Sequence, residues 1–167
     1  MADITNVKLG VCSVTFNGVP LGHTKGGVVV TYTPDYHDVT VDQYGNTVVE
    51  KVLIGEKLTA KVPLAESTLA NLAVAIPAGD GTGNLTIGKQ AGELMAQYAK
   101  ELVLHPIANE ANDLDEDVVF FKALNTGEVA LNFMFDGERV VEVTFEALLD
   151  ETQTDGSYLG LIGDSTE

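Results

Sequence analysis

Residues 138–149 read Glu138-Arg139-Val140-Val141-Glu142-Val143-Thr144-Phe145-Glu146-Ala147-Leu148-Leu149. In an extended chain, Val141, Val143, Phe145, Ala147 and Leu149 share one face, and Glu138, Val140, Glu142, Thr144, Glu146 and Leu148 share the other. The first face needs a core. The second carries three carboxylates in register and needs water. Alternation over this length predicts a half-buried β-strand. Just upstream, Val129, Leu131, Phe133 and Phe135 alternate with Glu128, Ala130, Asn132 and Met134, and Asp136-Gly137 between the two runs predicts a tight hairpin.

The rest of the chain supports a mainly β fold. Val7 to Phe16 carries apolar or small residues on both faces, as a buried strand does, and Asn17-Gly18 follows as a turn. Val28 to Tyr32 is a second strand, which Pro34 is expected to stop because proline has no amide to donate. Asp35 to Asn46 is polar and carries little to bury, so it predicts a protruding loop or hairpin arm. Thr47 to Val62 is a long strand with a bulge suggested at Gly55. Its second half sets Glu56, Leu58, Ala60 and Val62 against Lys57, Thr59 and Lys61.

One short helix is predicted, with Leu69, Leu72, Ala73 and Ile76 on one face, a start at Glu66 or Ser67, and Pro77 as its stop. Residues 78–83 form a loop, Tyr98 to His105 an extended segment, Asn109 to Asp117 an acidic loop, and Val118 to Leu124 a strand. After Asp150 a polar linker leads to Tyr158-Leu159-Gly160-Leu161-Ile162, an apolar tail expected to dock late or onto a neighbour. The expected architecture is a β-sandwich or partly open barrel of about seven or eight strands with one flanking short α-helix, in a single domain spanning 1–167.

Composition narrows the function. The 167 residues hold 25 acids and 9 bases, for a formal charge of −16. Residues 1–100 contribute only −2, and 101–167 contribute −14, with Lys122 and Arg139 their only bases. Such a surface does not grip nucleic acid, which needs clustered Lys and Arg. No apolar run is long enough for a membrane span or a signal peptide. Cys12 is the only cysteine, so no internal disulfide is possible.

Motifs for chemistry fall short. Gly83-Asn84-Leu85-Thr86-Ile87-Gly88-Lys89 has phosphate-loop spacing, but Gln90 stands where Ser or Thr would hold Mg²⁺. Counting from Asp113, a calcium loop would need Gly and Glu where Val118 and Leu124 stand. Glu142 and Glu146 would lie roughly 13 Å apart on a strand, beyond the ~5–9.5 Å separation of glycosidase carboxylates. His23, His37 and His105 fall in different segments, and Cys12 reads as an inert core thiol. No enzymatic activity, cofactor or metal is expected. A polar arm, an apolar tail and a β body are the parts of an assembly subunit.

The order and spacing of several segments sharpen this reading. They are Gly10-Val11-Cys12-Ser13-Val14-Thr15-Phe16-Asn17-Gly18-Val19-Pro20-Leu21-Gly22-His23-Thr24-Lys25-Gly26-Gly27, Tyr44-Gly45, Gly55-Glu56-Lys57, Lys61-Val62-Pro63-Leu64-Ala65-Glu66, Leu102-Val103-Leu104-His105-Pro106, Asp150-Glu151-Thr152 and Leu161-Ile162-Gly163-Asp164. Together they resemble the major tail tube proteins of long-tailed bacteriophages. The resemblance implies a virion protein, made in the host bacterial cytoplasm, whose hexameric rings stack into a hollow tube. Its partners would be copies of itself and other tail proteins at the tube ends, with double-stranded DNA passing through without specific binding. It also implies an inter-ring loop at 35–46, with Asp38, Val39, Thr40, Val41, Asp42, Gln43, Tyr44, Gly45 and Asn46 as inter-subunit residues. The tail about 151–167 would clasp a neighbour through Tyr158, Leu159, Leu161 and Ile162. Glu138, Glu142 and Glu146 are candidates to face the bore, and Lys57, Thr59 and Lys61 form the rival, basic lining. The alternatives are a carbohydrate- or receptor-binding β-sandwich, disfavoured by the absence of Trp and 7% aromatic content, and a decoration protein or the inner tube of a contractile machine.

Overall fold

Val141, Val143, Phe145 and Ala147 are buried, as their alternation demands. They lie in a strand of one antiparallel sheet in the computed structural model, which describes residues 10–77, 83–153, 156 and 158–164. Among the described residues the strands are β1 (Cys12–Phe16), β2 (Val19–Pro20), β3 (Val29–Thr40), β4 (Val48–Leu64), β5 (Lys100–Pro106), β6 (Val118–Asn125), β7 (Val141–Ala147) and β8 (Gly160–Ile162), with one α-helix, α1 (Leu69–Ala75). Their order is β2-β1-β5-β6-β7-β4-β3, and β8 pairs with β6. The fold is thus mainly β, and its sheet is not closed into a barrel. It does curl. Phe16 of β1 stacks on Phe145 of β7 with ring centroids 5.4 Å apart, although the two strands are not neighbours. Val14, Leu64, Leu102, Phe120 and Val143 fill the same core.

Asn125 fastens three elements at the mouth of this core. Its buried amide donates to the Ala75 carbonyl at 2.5 Å, tying down the end of α1. Its Oδ1 accepts from the Gly127 and Thr144 amides at 3.0 and 3.1 Å. The chain therefore leaves β6 through a buried polar clamp at Asn125.

The helix begins at Thr68, whose hydroxyl accepts from the Asn71 amide at 3.2 Å, and not at Glu66 or Ser67. Asn71 and Ala75 are its buried residues, while Leu69 and Ala73 are exposed. The cause is polar. The Asn71 side chain donates to the carbonyls of Leu21 and Glu66 at 2.9 and 2.7 Å, which turns that face inward. Met95–Tyr98 forms a single 3₁₀ turn before β5.

Two further expectations are corrected. Pro34 does not end its strand, and β3 runs on to Thr40. β3 is the outermost strand of the sheet, where an amide facing away from β4 is not needed for pairing. Residues 128–140 form no ladder despite their alternation and Asp136-Gly137. β7 begins at Val141, paired with Leu64, and the two legs before it carry no strand pairing. The Val7–Leu9 start of the first expected strand and residues 78–82 of the expected loop lie outside the described residues.

Replacing Asn125 by Leu removes the partner of two backbone amides and one carbonyl. Urea denaturation is expected to show a loss of about 1–3 kcal/mol, the cost of leaving such groups unsatisfied. The same change at exposed Asn132 should leave stability within ~0.5 kcal/mol.

Candidate assembly surface

The arm is a β-ribbon made of β3 and the first part of β4. β7 supports β4 only from Thr59 to Leu64. From Val48 to Leu58, roughly 35 Å at ~3.3 Å per residue, the ribbon has no third strand among the described residues. No residue from Val29 to Thr59 is buried. Its tip is a 3₁₀ turn, Asp42–Tyr44, closed by the Tyr44 amide donating to the Val41 carbonyl at 3.0 Å and by Gly45 at φ 60°. The expected inter-subunit residues Asp38–Asn46 thus occupy the outer ribbon and its tip. Asp38 is tied to Lys51 across the pair.

Two bulges shape the ribbon. Asp35 pairs with Gly55 and Tyr36 with Leu53, leaving Ile54 as an extra residue. Val39 pairs with Glu50 and Thr40 with Val48, leaving Val49 extra. The first lies beside the expected Gly55. The ribbon is also more apolar than the sequence reading of the arm implied. Val48, Val49, Val52, Leu53 and Ile54 are all exposed, as are Tyr32 and Tyr36 opposite. The signal was an apolar run in β4 facing a polar partner segment across one turn.

The two rival charged faces are one face. Thr59 pairs with Glu146, Lys61 with Thr144 and Pro63 with Glu142, so these residues share the face opposite the core, where Pro63 is itself buried and the others are not. Lys57 Nζ lies 3.3 Å from Glu146, and Lys61 Nζ lies 3.0 Å from Glu142. Glu138, on the excursion before β7, is ion-paired with Lys25. Each of the three candidate acids therefore has its own lysine, and the face is mixed in sign.

The tail docks on its own chain. β8 pairs with Val118–Phe120 of β6, and the Phe121 amide donates to the Leu159 carbonyl at 3.2 Å. The close approach needs Gly160, where a Cβ would sit 2.5 Å from the Val119 carbonyl oxygen. Leu159 packs against the core, whereas Tyr158 and Ile162 remain exposed. The burial of Leu159 thus needs no neighbour. Asp150 anchors the loop into β8: it accepts from Lys122 at 2.8 Å and from Thr152 and Gln153, and its amide donates to Tyr158. The Lys122 ammonium, aided by those donors, holds this buried carboxyl well below the usual carboxylate range.

Between the ribbon and β8 lies an open groove of about 550 Å³, lined by Tyr32, Leu53, Ile54, Leu58, Leu149 and Tyr158 among others. Leu149, expected in the core, lies past the end of β7 and is exposed here. Glu56 forms part of the wall and accepts from the Tyr32 hydroxyl at 2.6 Å, which pushes that phenol up to about 12.

The motifs with chemical overtones resolve into structure. No helix starts at Lys89, since 87–90 is irregular. Cys12 pairs with Pro106 and Ser13 with His105, so Cys12 and His105 lie on neighbouring strands but opposite faces. Burial pushes the Cys12 thiol up. His105 Nδ1 instead meets Asp117 at 2.6 Å. No protein-family model matches the chain, and no curated protein matches its sequence.

Two predictions follow from these contacts. The Glu142→Gln, Glu146→Gln double variant frees Lys61 and Lys57. Fluorescence anisotropy with a short DNA duplex should then detect binding at low salt, weakening with a log–log slope of about −2 for two phosphate contacts, where the parent binds less. Asp150 is depressed in the folded state, so its contribution is present above the unfolded value of about 3.9 and is lost as pH falls below it. Hydrogen-exchange protection at Gly160–Ile162 should therefore drop between about pH 4 and 2, and in Asp150→Asn it should already be reduced at neutral pH.

Proposed function

We propose that this protein is the structural subunit of a bacteriophage tail tube, self-assembling into stacked hexameric rings that form a hollow conduit for the genome. The observation carrying the reading is the unsupported ribbon with its free β3 edge. An isolated two-stranded ribbon is marginal in water, and a long unpaired edge strand is a template for another strand. Both deficits vanish when the edge pairs with a neighbouring subunit and sheets from six subunits close a continuous wall. The sequence segments described above favour a tail tube over other β-rich assemblies.

In this reading the face bearing Lys57, Lys61, Glu142 and Glu146 lines the bore, because the opposite face is occupied by the core. Paired charges offer DNA no run of free cations, so it slides without gaining counterion release. The acidic remainder of the chain keeps subunits soluble before assembly.

Concentrated protein should form rings or tubes in negative-stain micrographs. A chain with residues 39–50, between the paired Asp38 and Lys51, replaced by Asn-Gly should keep its β circular dichroism and lose stacking. A parent protein that stays monomeric at every concentration would sink the tube assignment, and normal-length tubes from the shortened chain would remove the arm's role.

A further inference from the structure

We draw no further inference here: the strongest candidate, the exposed apolar tip Phe133–Phe135 on the excursion between β6 and β7, carries nothing because no feature of the structure shows what covers it.

Discussion

A two-stranded ribbon in water sits at the margin of stability, and this protein extends one far past its last supporting strand. β7 holds β4 from Thr59 to Leu64, and beyond Leu58 each leg of the ribbon pairs, among the described residues, only with the other. The stacked Phe16 and Phe145 rings and the Asn125 clamp secure the root. The molecule is therefore divided between a half that satisfies itself and a half that does not. The second half contains the ribbon, its free edge, the groove and the Phe133–Phe135 tip.

Much of the self-satisfied half is legible in the sequence. β7 is written in strict alternation, and the same rule gives the buried face of β4 at Ala60 and Val62. Periodicity reports which side of a strand is apolar, but not whether a layer exists to cover it. That is why Phe133 and Phe135, which alternate as well as Phe145 does, lie in water. Pro34 misleads for a related reason: its effect depends on whether its strand has a second neighbour, and β3 has none among the described residues. Asn71 and Asn125 are invisible as core residues because their burial rests on carbonyls fifty residues away in sequence.

Charge shows the same limit. The sequence presents the Lys57–Lys61 face and the Glu142–Glu146 face as competitors, since nothing local reveals that β4 and β7 are adjacent. Adjacency turns two opposed fields into a row of close pairs. Exposed pairs of this kind contribute little to stability, typically below about 1 kcal/mol. Their effect here is on what the surface attracts. Other acids lie in stretches such as Glu110–Asp117, where Asp117 turns inward to His105. The tail also reads differently in three dimensions: Gly160 lets β8 lie flush on β6 and Leu159 packs on the core, while Tyr158 and Ile162 stay exposed.

The two bulges of β4 have a consequence for fidelity. Each places one surplus residue on the inner strand of the ribbon, at Ile54 and at Val49, so the outer strand follows a bent and twisted path. A flat, extended segment from an unrelated or unfolded chain cannot follow that path over its full length. A partner of matching curvature can. The irregularities that interrupt the ladder therefore act as a shape filter against the cross-β stacking to which so long a bare margin would otherwise be prone.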